Sequence, residues 1–194
     1  VAVTAAGNHL YAIAELPPPQ AVGSNPQWNP GIYWRDAGPA GSMWQEVPGW
    51  PNDATPLCLL RVGQGQMLVG SNRGVYALGR DPANNHTCPP PQDKSFAALA
   101  LATTSAAAIT AVHAADPARL YRSPLDAGVP TSPAWQPSDM LFDNANRARI
   151  TAVVGRGPDV FVGLIPPSAP NQQTLFQLNW INQQWSKTAI GNLR

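Results

Sequence analysis

The chain has 194 residues, the length of one large domain or two small ones, and enough to bury a core without covalent staples. Charged residues are only 12% of it and the net charge is +1 with no basic run or stripe, so nucleic acid is not an expected partner. The 22 Pro and 16 Gly punctuate the chain too often for long helices.

Seven Trp in so weakly charged a chain point to aromatic strands, and the expected fold class is all-β. In chain order, VAVTAAG (1–7) is followed by HLYAIA (9–14), by a strand ending in Ile32-Tyr33, and by MWQEV (43–47) with Trp44. A second set runs LCLLRVGQG (57–65), QMLVGS (66–71), a strand ending in Val75-Tyr76, and KSFAAL (94–99) with Phe96. The third is AALALATTS (97–105), ITAVHA (109–114), Leu120-Tyr121 and AWQPS (134–138) with Trp135. The fourth is ITAVVGRG (150–157), DVFVGL (159–164), Leu175-Phe176 and QWSKTAI (184–190) with Trp185. Residues 96–115 carry no formal charge, but they are rich in Ala, Thr and Ser; two strands joined at Thr103-Thr104-Ser105 are expected there, not a membrane span.

The aromatic anchors Tyr33, Tyr76, Tyr121 and Phe176 recur at intervals of 43, 45 and 55 residues. Four short antiparallel strands at such a period are the signature of a β-propeller blade. The chain is therefore expected to be a single propeller or partial propeller with approximate repeats 1–52, 53–97, 98–146 and 147–194. A β-sandwich or mixed β fold is the alternative, but it does not predict that Asp36-Ala37-Gly38 returns ninety positions later as Asp126-Ala127-Gly128. One blade cannot bury both its faces, whereas stacked blades can. Tyr33, Tyr76, Tyr121, Phe176, Trp44, Trp135 and Trp185 are accordingly expected to fill the space between sheets.

These turns resemble the Asp-box, or BNR-type, repeat of sialidase-like, photosystem-assembly and sortilin-type propellers. There Ser-x-Asp-x-Gly-x-Thr-Trp joins the third and fourth strands of a blade. Trp34-Arg35-Asp36-Ala37-Gly38 keeps the Asp and Gly, with Trp34 in the place of Ser; Ser123 through Gly128 keeps Ser, Asp and Gly with one extra residue. In both, Asp can accept bonds from nearby backbone N–H groups and Gly can supply a positive φ, so Asp36, Gly38, Asp126 and Gly128 are expected to be turn residues.

The resemblance brings sialidase chemistry into question: an arginine triad, a Tyr nucleophile with a Glu partner, and an acid/base Asp. The chain has only two Glu: Glu15 precedes a Pro17-Pro18-Pro19 loop, and Glu46 follows Trp44. Glycoside hydrolysis needs two carboxylates facing across a cleft, and no pair stands out. There is no G-x-S-x-G, H-E-x-x-H, P-loop or EF-hand loop, and no metal or cofactor is expected. Cys58 and Cys88 suit a disulfide in an exported protein and ordinary thiols in a cytosolic one.

Binding is the remaining expectation. Pro-rich insertions at 15–30, 80–94 and 165–173 are stiff enough to be presented at low ordering cost. Trp28 and Trp50 lack counterparts in the other repeats, and with Arg35, Arg73 and Arg122 they are the candidate contact residues. The expected role is a non-catalytic protein-interaction or sensor module of a larger protein. A carbohydrate-binding propeller and a partial or degenerate glycosidase are the alternatives. The chain starts at Val1 without an initiator Met, so processing or a longer parent is expected, and a homodimer completing a larger ring is one way to close it.

Overall fold

The structure is a computed structural model that describes residues 2–16, 29–38, 42–62, 66–78, 98–103, 108–113, 120–126, 129–130, 136–137, 149–166, 169–181 and 184–193. Among these residues there is no helix, and every regular element is a β-strand. The chain is all-β, and its strands form successive antiparallel sheets of a β-propeller.

The first sheet runs β1 (Ala2–Ala6), β2 (His9–Leu16), β3 (Asn29–Asp36) and β4 (Gln45–Glu46), in sequence order. The second contains β5 (Pro56–Val62), β6 (Gln66–Ser71) and β7 (Gly74–Leu78). In the third, β8 (Ala98–Thr103), β9 (Ala108–His113) and β10 (Leu120–Asp126) form a meander. Short strands β11 (Val129–Pro130) and β12 (Gln136–Pro137) both pair with β10. The fourth sheet is β13 (Arg149–Arg156), β14 (Asp159–Ile165), β15 (Gln173–Ile181) and β16 (Gln184–Leu193). All four aliphatic-aromatic anchors lie on the third strand of their sheets: β3, β7, β10 and β15.

The local chemistry accounts for these hairpins. β1 and β2 turn through Gly7-Asn8, and β13 and β14 through Gly157-Pro158, each a two-residue loop closed by paired flanking residues. Gly7 has φ 60° and Gly157 φ 58°, the positive φ that a primed two-residue hairpin turn needs at its first central position; Pro158, with φ fixed negative, makes the second turn type II′. The uncharged stretch 96–115 contains β8 and β9 paired antiparallel, from Ala98↔His113 to Thr103↔Ile109. Residues 91–97 lie outside the described set, and the end of KSFAAL belongs to β8, the opening strand of the third sheet. AALALATTS (97–105) was expected to open the third set, and β8 does; the closing strand expected for the second set, around Phe96, falls outside the described residues.

Two apolar clusters hold the sheets face to face. Ala6, Tyr11, Ile32, Trp34 and Val47 of the first sheet and its edge pack with Ala54, Met67, Val69, Tyr76 and Leu78. Leu120 of β10 packs with Ile150, Val153, Val160, Val162, Leu164 and Leu178 of the fourth sheet, and Phe176 lies against this second cluster. The two sheets differ in how many faces they bury. All five residues of β7 are buried, and so are Met67 through Ser71 of β6, because the second sheet is covered on both sides. By contrast β1 and β13 alternate between core and solvent, with Ala6, Ile150 and Val153 inward.

The linker between the first two sheets is clamped to the β6–β7 turn. The Trp50 indole N–H donates to the Ala54 carbonyl at 2.6 Å, and its ring lies 4.9 Å from that of Tyr76. Asn72 donates its backbone N–H to the Thr55 carbonyl and accepts the Thr55 N–H on its own side chain at 2.7 Å. Arg73 and Asp53 form a surface ion pair at 3.4 Å, a contact of small energetic weight. Within the turn the buried Ser71 hydroxyl donates to the Gly74 carbonyl and accepts the Arg73 N–H, both at 3.0 Å. The buried Ser71 hydroxyl is thereby satisfied both as donor and as acceptor.

Cys58 lies on β5 beside Gly70 of β6. Burial pushes its thiol up to about 12, against a smaller lowering by a hydrogen bond with the Gly70 backbone. Its folded pKa exceeds the ordinary value of 9.0, so its contribution to stability is complete below that pH and is lost as the pH climbs toward 12. Urea midpoints of wild type and Cys58→Ala should therefore converge between pH 8 and pH 11. At pH 8 the folded thiol should also react with a thiolate-directed reagent about tenfold or more slower than the unfolded chain. Cys88 lies outside the described residues.

Candidate interaction surface

The strand period sends alternate residues of β3 to opposite faces. Ile32 and Trp34 enter the core, while Tyr33 and Arg35 stand on the outer face of the first sheet. Register sets their neighbours: Leu10↔Arg35 and Ala12↔Tyr33 on one side, Tyr33↔Glu46 and Trp34↔Gln45 on the other. Continued by one pair, that register brings Trp44 opposite Arg35. The Arg35 guanidinium carbon lies 5.3 Å from the centroid of the Trp44 ring, within cation–π range.

This arrangement leaves recognition groups exposed. Trp44 is 40% exposed and the adjoining Met43 81% exposed. Arg35 Nε is buried with no hydrogen-bond partner. Glu46 is exposed beside Tyr33, whose hydroxyl pKa is raised by desolvation and then by the Glu46 charge. A guanidinium over an exposed indole can accept both a carboxylate and an apolar group of a ligand. Glu46, diagonal to Arg35 on the same face, limits how much negative charge the site takes.

The Asp36 turn borders this surface. His9 Nδ1 approaches Asp36 Oδ1 to 3.0 Å across the β2–β3 pair, off the hydrogen-bonding direction, so that the nitrogen is buried without a hydrogen bond proper. The His9 ring meets Trp34 edge-on at 5.3 Å. Ala37 donates its N–H to the Asn8 carbonyl at 2.7 Å, and Ser42 donates its hydroxyl to the Asp36 carbonyl at 3.1 Å. The loop from β3 toward β4 is thus tied at both ends. Gly38 is exposed, with open space where a side chain would project.

The other residues singled out from sequence fall in several places. Trp50 and Tyr76 pack against each other in the first cluster, which makes Trp50 a packing residue instead of a surface contact. Its indole N–H is turned to a backbone carbonyl, and its ring fills the gap that the inter-sheet linker leaves. Trp44, expected among the packing residues, lies on the surface because β4 is only two residues long and Trp44 precedes it. Arg73 serves the ion pair with Asp53. Arg122 and Tyr121 are half-buried on β10, and burial lowers the Arg122 pKa. Lys187 lies 5.3 Å over the Phe176 ring. Asp126 ends β10, the third strand of its sheet, as Asp36 ends β3; Trp185 lies on β16, across the β15–β16 turn from Trp180. Trp28, Trp135 and Gly128 lie outside the described residues. Trp34 and His9 were not singled out from the sequence. The signal for Trp34 was its strict alternation with Tyr33 and Arg35, which places it on the opposite face.

Among the described residues, no three His, Cys, Asp or Glu side chains are grouped to hold a metal, and no helix is long and apolar enough to cross a membrane. The sheets and their surface are those of a β-propeller. Two solved chains share this fold. Human WBSCR16 matches over 98% of this chain and 54% of its own length, at 11% identity and a TM-score of 0.51. YCF48 bound to D1 peptide, a β-propeller, matches over 95% of this chain and 64% of its own, at 15% identity and the same TM-score. The chain therefore spans between about half and two-thirds of the length of these solved chains, and at such identities the likeness is one of fold. No family model matches the chain, and no curated protein does.

Proposed function

We propose that this chain is a non-catalytic binding or assembly propeller whose partner is a protein segment, gripped at the surface formed by Arg35, Trp44 and Met43. The observation that carries this reading is the Arg35 guanidinium stacked on an exposed Trp44 with its Nε buried and unpartnered. An Arg and a Trp side by side are what interface hot spots are made of, and burial under a partner strengthens both contacts. The likeness to a propeller solved with a bound peptide supports the same class of partner. Two Asp side chains meet bases, Asp36 with His9 and Asp53 with Arg73, and this agrees with structural more than catalytic use. Within this reading Asp36 and Asp126 hold the place of degenerate Asp-box residues. Both Asp residues stand at the end of a third strand, and the Ser42 bond to Asp36 fixes the passage to the fourth.

The test is selection of displayed random peptides on the immobilised chain, followed by affinity measurement. Selected peptides should share a carboxylate next to an apolar side chain. Arg35→Ala should weaken them about tenfold or more, as should Trp44→Ala, while melting temperature stays within a few degrees. Peptides that bind both variants as tightly as wild type would remove this surface from the proposal.

A further inference from the structure

We infer that the Arg35–Trp44 surface reads a pair of opposite charges: an acidic side chain for Arg35 and a basic side chain for Glu46, two residues apart in one extended segment of the partner protein. The inference rests on the reading of this surface as a protein-binding site, and it adds Glu46 as the residue that selects among segments. β4 is the strand of the first sheet farthest from β1, which packs beside β5, so the two charges lie at the outer edge of the sheet.

Register places both groups on one face. Tyr33 pairs with Glu46, and Arg35 stands two residues farther along β3 on the same side. Diagonal neighbours of this kind lie about 7–8 Å apart, and alternate side chains of an extended strand about 6.8 Å apart. One strand-like segment therefore meets Arg35 and Glu46 with two successive side chains of a single face.

The two charges do not neutralise each other. Among the described residues neither Arg35 nor Glu46 joins an ion pair. Arg35 instead leans over the Trp44 ring, its guanidinium carbon 5.3 Å from the centroid. Tyr33, whose ring could fill the gap between them, folds back along β3 away from Arg35. Its ring and hydroxyl atoms lie 2.8–3.0 Å from where a Cβ on Gly31 would stand, so an Ala there would displace it. The Glu46 charge acts at this place, since after desolvation it is the second cause that raises the Tyr33 hydroxyl pKa. A partner that covers Arg35 and Trp44 also strips water from Glu46. A carboxylate covered without a counter-charge costs far more than an exposed one, so a segment with a base opposite Glu46 is favoured and one with a second acid is rejected.

Displayed random peptides selected on the wild-type chain should carry Asp or Glu with Lys or Arg two positions away. Changing that base to Ala in a selected peptide, or Glu46→Gln in the chain, should each weaken binding about fivefold or more, and the two changes together no more than either alone. Glu46→Lys should bind the same peptides more weakly still, and should recover affinity when the peptide base is replaced by Glu. Glu46 is exposed, so the melting temperature of each variant should stay within a few degrees of wild type. Selected peptides without a base at that spacing would overturn the inference and leave the protein-binding surface standing. So would peptides that need Arg35 and Trp44 yet bind Glu46→Gln as tightly as wild type. Peptides indifferent to Arg35→Ala, Trp44→Ala and Glu46→Gln alike, or a selection that yields none, would overturn the inference and the protein-binding reading together.

Discussion

Trp34→Ala is expected to lower the unfolding free energy by about 3–5 kcal/mol, one of the two largest effects of any single substitution considered. Trp34 is 7% exposed and sits in the cluster that joins the first sheet to the second, with the His9 ring edge-on against it. Truncation removes the transfer term of an indole and leaves a cavity that rigid strands on both sides cannot close. The neighbouring comparison is Trp44→Ala, which should cost less than about 1 kcal/mol because that ring is on the surface and contacts Arg35 alone among the contacts described above. Urea unfolding followed by intrinsic fluorescence measures both. Equal costs for the two would mean that the sheets do not meet across Trp34.

Leu178→Ala should cost about 2–5 kcal/mol, for the same reason at the other cluster. Leu178 is fully buried and faces Val160, its register partner, among the residues that receive Leu120 from the third sheet. The Trp34 and Leu178 clusters share no residue. In a chain that unfolds as one unit the double variant should be additive to within about 0.5 kcal/mol. Two separate transitions, each moved by one substitution only, would show that the fold melts sheet by sheet, as quasi-one-dimensional repeats do when coupling between neighbours is weak.

The fold class was legible because two local signals agreed. Apolar runs of strand length ended at Gly-Asn, Asn-Arg-Gly and Gly-Pro turns, and an aliphatic-aromatic pair marked the third strand each time. Both are short-range properties, so no tertiary knowledge was needed. Which aromatic packs and which is exposed was less legible, since it depends on register and on strand length. Trp34 departs from the Asp-box Ser and is core; Trp44 keeps the expected Trp strand and is exposed, because β4 begins only after it. Trp50 looked like an orphan in sequence because its partner Tyr76 is supplied by the next sheet. The proposed interaction surface was half visible. Arg35 was a contact candidate, but the stacking that makes it one requires the Tyr33↔Glu46 pairing across β3 and β4, which no sequence spacing states.

Packing of the anchor Tyr76 at the junction of the first two sheets is central to the propeller reading, and a double-mutant cycle on Trp50 and Tyr76 tests it most directly. Trp50 comes from the linker between the first two sheets and Tyr76 from β7, and their rings lie 4.9 Å apart between centroids, inclined by 57°. Trp50→Leu, Tyr76→Leu and the double variant should reveal a coupling of about 0.5–1.5 kcal/mol beyond the sum of the single effects. Strict additivity would contradict it, since two rings that do not touch cannot couple.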